Sequence, residues 1–494
     1  MITDRIYQWA RSDPTKTAVI YNDLPISYST YARAINAARV FLKEQQIPVG
    51  STAVVLANSL MDTWTFVMAL RSLGITTTSV KSIAQAEQLK IGNLSCIVTV
   101  SAELDSLELN GTALAETRIV AIPDTIFANV FSGGLPDFLE EIQPFGGHIL
   151  YTSGTTGTFK KVLLEGSTED KRNDWWIRNS SFDEKTVFHA HAFSLWTIGG
   201  FGFPSSVWLT GGCVVIDQQE NAIGQLFRYS ITNAFMTPDL VKSVIQSCNS
   251  PWPRNAEISV GGGFLPLALA RETINRITNR LKIVYSSTEC VAVLHSYFET
   301  DDDLYWLTPL PERIVQVVDE LDSECLDGQE GLLRILLKDV DASGYLDDEE
   351  TSATFFRNGF FYPGDMAVRR EDGRIRRLGR SVDVLNVQGL KVAVAALEED
   401  IQRHLQVEAV CLFSGLSASG RNELVIAIQA NREIQAHELN NIFKLDMIAP
   451  LAKGFDEIRY SIMKEFPRTE SGMSKFRRSD LRKQLFAENR STVE

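Results

Sequence analysis

The sequence predicts an α/β fold: a large N-terminal domain of mostly parallel sheets covered by helices, followed by a small α+β domain at the C-terminus. Three observations predict it. Short apolar runs alternate with helix-period segments as far as residue 296. Several of those runs lack the polar alternation of a half-solvated strand, as expected for strands buried on both faces. Near residue 380 the rhythm changes to shorter, hairpin-like units.

The elements follow in order. Residues 29–46 (STYARAINAARVFLKEQQ) carry apolar groups at helical spacing, with Ser29 as the expected N-cap. TAVVL at 52–56 reads as a buried strand, 60–73 as a helix ending near Gly74, then ITTTSV, a helix at 83–90 and the strand CIVTV at 96–100. Such alternation builds parallel sheets flanked by helices. The rhythm recurs from 211 to 296: GCVVI, a helix near 221–229, TNAFMTP, a helix at 238–247, EISVGGG, a helix at 266–280 and KIVYSS. Residues 366–378 predict a hairpin turning at Asp372-Gly373. A boundary at Gly379–Asp383 divides the chain into domains 1–380 and 381–494. The second holds DVLNVQGLKV, a helix near 393–405, AVCLFSG, a turn at 416–421, ELVIAIQA, a helix near 436–447 and EIRYSIMKEFP.

Composition narrows the function. A chain of 494 residues, 44% hydrophobic and 22% charged, is ordinary for a soluble globular protein of two or more domains. A formal net charge of -14 argues against general binding to nucleic acid or anionic membrane, because phosphates attract basic surfaces. Charges break the N-terminal segment early, and no apolar run approaches the roughly 20 residues that span a bilayer. The expected location is the cytoplasm. The six cysteines are scattered without a Cys-x-x-Cys pair, which disfavours a zinc or disulfide framework. His189 and His191 are the only closely spaced histidines, and no third ligand accompanies them.

The segment richest in chemistry is LYTSGTTGTFKKV, residues 150–162. An apolar strand, GGHILY, runs into Thr152, Ser153, Gly154, Thr155, Thr156, Gly157 and then Lys160. Glycines let backbone N–H groups turn toward a ligand, hydroxyls add donors, and a lysine supplies a point charge. Together these suit a polyphosphate, although the same residues also make an ordinary surface turn. The spacing is not that of a Walker A loop. Four later segments carry further candidate residues: SVGGGFLP at 259–266, YSSTE at 285–289, FFYPGD at 360–365 and GRSVDVLNVQGLK at 379–391. Near the end lies PRTESGMSKFRRSDL, residues 467–481. Taken singly, each also reads as a turn, a polar loop or a basic helix start.

Together, and in this order, these segments resemble the motifs of the adenylate-forming superfamily, which includes acyl-CoA synthetases, adenylation domains of nonribosomal peptide synthetases, and luciferase. Phe159 and Lys161 depart from the phosphate-loop pattern, Ser286 from the motif at 285–289, Pro363 from that at 360–365, and Val382 from the hinge. The resemblance implies a large domain that binds ATP and acid and a small mobile lid. It implies that Gly262, Gly263 and Tyr285 border adenine, Thr288 meets the α-phosphate and Glu289 holds Mg²⁺. Asp365 would take the ribose hydroxyls and Arg380 the nucleotide, while Gly389 and Lys391 belong to the loop of the thiol step. Met473 stands where the catalytic lysine is expected. Counting back from Leu481 through Arg478 makes Lys475 that lysine after a two-residue insertion, Met473-Ser474; otherwise the lysine is lost.

The resemblance places the acid pocket around His191, Phe193, Ser194, Trp196, Phe235, Gly261 and Cys290. That lining is largely apolar and aromatic. Ser194 stands where amino-acid-activating relatives carry the aspartate that pairs with the substrate's amino group. An unpaired ammonium there is unfavourable, so an aryl or acyl acid is expected. The implied cofactors are ATP, Mg²⁺ and CoA, or the phosphopantetheine of an acyl carrier protein. The expected state is a monomer or homodimer. Three readings stand: an acid–CoA ligase, a stand-alone enzyme loading a carrier protein, and a non-catalytic nucleotide-binding relative. No Gly-x-Gly-x-x-Gly follows an N-terminal strand, which excludes the usual dinucleotide oxidoreductase.

Overall fold

A computed structural model of the chain describes residues 2–107, 109, 111–127, 145–153, 159–218, 229–247, 255–381, 384–387, 390–417, 420–442, 454–468 and 476–487. The chain divides into two units, Met1–Ala292 with Leu337–Gly359, and Val293–Leu336 with Phe360–Glu494.

The first unit contains α1 (Ile2–Ser12), β1 (Thr17–Tyr21), β2 (Leu24–Ser27), α2 (Tyr28–Glu44), β3 (Thr52–Val55), α3 (Leu60–Ser72), β4 (Thr76–Ser79), α4 (Ile83–Leu89), β5 (Leu94–Val100) and β6 (Arg118–Ile122). It continues with β7 (His148–Ser153), β8 (Phe159–Leu164), α5 (Gly166–Ser180), β9 (Val187–His191), α6 (Ile198–Thr210), β10 (Cys213–Ile216), β11 (Asn233–Met236), α7 (Pro238–Ser247), β12 (Glu257–Val260), α8 (Leu267–Arg276), β13 (Arg280–Ser287) and α9 (Glu349–Phe355). One sheet has the order β6-β5-β3-β4-β7-β8. Its pairs are parallel except for the β7–β8 hairpin. Within this unit the second sheet runs β13-β12-β11-β9-β10-β1-β2, again parallel apart from the β1–β2 hairpin at its end. This is the expected α/β architecture.

Burial explains the apolar runs. Every residue of β3 is buried, so the strand needs no polar face. Trp64 of α3 and Trp208 of α6 meet edge-to-face at 4.8 Å, and Trp64 stacks on Phe201 at 5.3 Å. Arg71, wholly buried, ion-pairs with Glu169 and donates to the Gly146 carbonyl at 2.8 Å. Two sequence expectations shift. The cap of α2 is Ser27, whose hydroxyl accepts from the Thr30 N–H at 3.1 Å, so Ser29 falls inside the helix. The helix expected at 266–280 stops at Arg276, because Arg280 already pairs with Glu257 in the sheet. The helix expected near 221–229 lies almost entirely outside the described residues.

The second unit contains the hairpin formed by Asp365–Arg369 and Ile375–Arg380, turning at Gly373 with φ +83°. It also holds a three-stranded sheet in which Asn422–Gln429 pairs antiparallel with Ala409–Leu416 and parallel with Glu457–Met463. The helix Val394–Leu405 packs Leu397, Ile401 and Leu405 into a core with Leu412 and Ile426. Ala436–Ile442 is helical, and the expected continuation to 447 lies outside the described residues. Among the described residues no helix is long and apolar enough to cross a membrane.

Candidate active site

Within the first unit, the β7–β8 hairpin sets Thr152 opposite Lys160 and Ser153 opposite Phe159. The intervening residues 154–158 lie outside the described residues. Lys160 lies on aromatic carbon: its ammonium is 3.3 Å from the centroid of Phe355 and 5.1 Å from that of Tyr345. The neighbouring Lys161 points elsewhere, to the Lys90 carbonyl at 3.0 Å and Asp347 at 3.2 Å.

Thr288 and Glu289 form a turn just past the end of β13, held by groups distant in sequence. Buried Arg172, on α5, donates to the carbonyls of Val340 at 2.7 Å, Thr288 at 2.9 Å and Glu289 at 2.7 Å. The Ala342 N–H also donates to the Glu289 carbonyl, at 2.8 Å. The Tyr345 hydroxyl donates to Glu289 Oε1 at 2.7 Å. One step further, the Leu346 N–H donates to the Lys161 carbonyl at 2.8 Å. Residues 340–346 thus tie the β7–β8 hairpin to the Thr288–Glu289 turn.

At the end of β12, Gly262 adopts φ +79°, and a Cβ on Gly261 would lie 2.9 Å from the Val284 carbonyl and 3.1 Å from the Phe235 ring. Tyr285 on β13 is buried. His191, Phe193 and Phe235 form a continuous aromatic wall, with ring centroids 5.8 Å and 6.1 Å apart in turn. Gly199 sits in contact range of both phenylalanines. The Ser194 carbonyl caps the turn into α6 by accepting from the Thr197 N–H at 3.0 Å. A Cβ on Gly200 would lie 2.2 Å from that same oxygen. Trp196 stacks instead on Tyr151 of β7, at 5.5 Å, and Cys290 is wholly buried. His189 Nδ1 accepts from the His191 N–H at 3.0 Å, and the two rings lie 4.2 Å apart. Burial drives the pKa of His191 down to about 3, and burial with the neighbouring ring drives His189 well below its usual value. Both rings are therefore neutral near pH 7, which keeps this wall uncharged.

In the second unit, Asp365 is buried and faces Arg380 in register across the hairpin. Arg380 Nε is 3.1 Å from its carboxylate, and Arg380 also donates to the Pro363 carbonyl. Gly364 has φ +80°, which turns the chain ahead of Asp365. Arg468 and Phe476 pair as an antiparallel bridge, and the Arg477 N–H donates to the Pro467 carbonyl at 2.8 Å. These contacts fasten both ends of the segment that carries Lys475.

The sequence profile of the AMP-binding enzyme family matches residues 6–346. The chain belongs to the AMP-binding enzyme family. It is 23% identical to malpinin synthetase of Mortierella alpina, across 94% of this chain and 6% of that protein. It is 21% identical to bacitracin synthase 1 of Bacillus licheniformis, across 87% of this chain and 8% of that protein. The chain thus spans less than a tenth of the length of these two relatives. Its fold resembles O-succinylbenzoate coenzyme A synthetase (MenE) of Bacillus subtilis in complex with ATP and magnesium, with TM-score 0.80 at 19% identity, covering 97% of this chain and 99% of the other. ATP-bound MatB of Rhodopseudomonas palustris gives TM-score 0.80 at 17% identity, covering 98% and 99%.

Of the family positions expected from sequence, the structure brings Lys160, Thr288 and Glu289 to one framework, and His191, Phe193, Phe235 and Gly261 to another stretch of wall. Gly154, Thr155, Thr156, Gly157, Gly389 and Lys475 lie outside the described residues. Lys391 is placed only on a strand, opposite Asn386. Sequence reasoning missed Arg172, Tyr345 and Phe355. Arg172 stands in a charged helical stretch, EDKRND, that reads as a solvated face. The one signal was that Trp175 and Trp176 follow on the same helix, where a buried face must exist.

Proposed function

We propose that this member of the AMP-binding family activates a carboxylic acid, of aryl or acyl type, with ATP and transfers the acyl group to the thiol of CoA. The observation that carries the reading is the shared tyrosine. Tyr345 binds Glu289 through its hydroxyl and lies under Lys160 with its ring, so the lysine and the carboxylate that this reading assigns to phosphate and cation belong to one framework.

The donor set at Glu289 fits Mg²⁺, which takes one or two carboxylates together with phosphate oxygens. When bound, the ion would neutralise charge on the departing phosphates. Lys160 and residues 152–157 would hold the polyphosphate, Gly262, Gly263 and Tyr285 the base, Thr288 the α-phosphate, and Asp365 with Arg380 the ribose side. Lys475 would align the acid carboxylate with the α-phosphate. The carboxylate oxygen attacks the α-phosphorus, and the bond to pyrophosphate breaks. The thiol sulfur then attacks the acyl carbon, and AMP leaves with the bonding pair. In this reading 1–380 is the catalytic body, and 381–494 is the lid that changes position between the two steps, bringing in Gly389 and Lys391.

The sequence likeness to peptide synthetases favours a second reading, in which the acceptor is the phosphopantetheine of a carrier protein. A third follows from Met473, Val382, Phe159 and Lys161: a nucleotide-binding relative with impaired chemistry. ATP–pyrophosphate exchange across aryl, fatty and amino acids, for wild type and Lys475→Ala, tests adenylation. Exchange with one acid class, lost in the variant, supports it; ATP binding with no exchange for any acid moves the third reading to the front. Product analysis with CoA and with a purified carrier separates the two acceptors.

A further inference from the structure

We propose that Tyr345 is a positioning residue for the cation-binding carboxylate, acting through Glu289. This rests on the function proposed above. A glutamate has three rotatable side-chain bonds, so a free carboxylate offers a cation many orientations and must be immobilised when it binds. Here the phenol donates a charge-assisted hydrogen bond to Oε1 at 2.7 Å. Oε2 takes no part in that bond, so one oxygen anchors the group and the other is the oxygen offered to a cation.

The tyrosine is itself fixed. Its side chain is buried, and its ring packs edge-on against Phe355 at 6.0 Å and Phe356 at 5.3 Å. Its N–H donates to Ser352 Oγ at 2.8 Å, and the next N–H ties to the Lys161 carbonyl. Arg172 and Ala342 fix the Glu289 backbone, so the tyrosine controls the freedom that remains, rotation of the carboxylate. The same ring lies under Lys160. Tyr345→Phe removes the hydroxyl and keeps the ring, so it separates carboxylate orientation from the lysine's seat.

The test is Mn²⁺ binding to the full-length protein, read by electron paramagnetic resonance with ATP present and no acid. Calorimetric ATP binding in EDTA gives the metal-free comparison. Tyr345→Phe should weaken Mn²⁺ binding about tenfold or more, in keeping with the loss of one hydrogen bond to a charged group. It should leave ATP binding in EDTA unchanged. Mn²⁺ affinity equal to wild type, or an equal loss of ATP affinity with and without metal, overturns the proposal, because the second outcome marks a merely structural role. Glu289→Gln keeps the parent reading separate. If that variant binds Mn²⁺ like wild type, Glu289 is not the cation ligand and the parent reading falls. If it loses Mn²⁺ while Tyr345→Phe does not, only the role of Tyr345 falls.

Discussion

Replacing Arg172 with methionine should destabilise the first unit by about 4 kcal/mol. Methionine keeps much of the apolar stem but has no donors. Three carbonyls lose the guanidinium, those of Val340, Thr288 and Glu289. Glu289 keeps the Ala342 N–H, so two carbonyls lose the donor that serves them here. Each buried acceptor left without its donor costs about 1–3 kcal/mol, which gives the central value. Against a typical total stability of about 5–15 kcal/mol this is a large fraction. Urea unfolding followed by tryptophan fluorescence is the assay, since Trp64 and Trp208 are buried in this unit. For a slope of about 3 kcal/mol/M the midpoint should fall by more than about 1 M. The turn should also loosen, weakening Mn²⁺ binding with ATP. A midpoint within about 0.3 M of wild type, at unchanged slope, would show that the bracket carries little energy and refute the reasoning.

Two further outcomes follow from the geometry. Gly261→Ala places a Cβ 2.9 Å from the Val284 carbonyl, so backbone must move; it should cost about 1–3 kcal/mol and reduce pyrophosphate exchange. Gly263→Ala meets only the Pro238 side chain, at 3.3 Å, and should be far milder; equal effects in a paired urea and exchange comparison would count against the contact argument. Acid should destabilise the first unit. His148 and His191 are pushed down to about 3 in the fold, while an unfolded histidine titrates near pH 6.5. Their contribution is intact above about pH 6.5 and declines as pH falls toward 3, by about 1.4 kcal/mol per pH unit for each ring. Urea midpoints at pH 7.5 and 5.0 should differ accordingly, and His191→Gln should flatten the slope. Glu399, in the second unit, is pushed up to about 7 by burial, so its own contribution has the opposite sign between about pH 4 and 7.

Much of the first unit was legible because buried parallel strands announce themselves as unbroken apolar runs, TAVVL and CIVTV among them. The Asp372-Gly373 turn was legible for a similar reason: a left-handed position needs a residue such as glycine, and Gly373 supplies it. Ser29 misled because Ser27 and Ser29 both suit a cap, and the choice depends on where Tyr28 buries its ring. Arg172 and Tyr345 were illegible for another reason. Arg172 serves carbonyl oxygens 116, 117 and 168 residues away, and Tyr345 a carboxylate 56 residues away, so no local pattern encodes these bonds. Phosphate-loop residues form a contiguous pattern, whereas the groups that hold a turn in place are scattered by the topology.

The bridge between Arg468 and Phe476 has a consequence for chain length. Seven residues, 469–475, separate the bridged pair in sequence, two more than the family pattern implied by the sequence. Closure entropy grows only as the logarithm of length, so the extra pair adds about 0.3 kcal/mol. The helix Arg478–Ala487 is anchored separately, by Arg478 to Glu398 and to the Leu412 carbonyl at 2.7 Å. On the alignment proposed above, an insertion at Met473-Ser474 falls between these anchored stretches and lengthens the chain that joins them. What it changes is reach, by up to about 7 Å of contour. Such a change costs little stability, and in the alignment proposed above its effect falls on the spacing between Pro467 and Lys475.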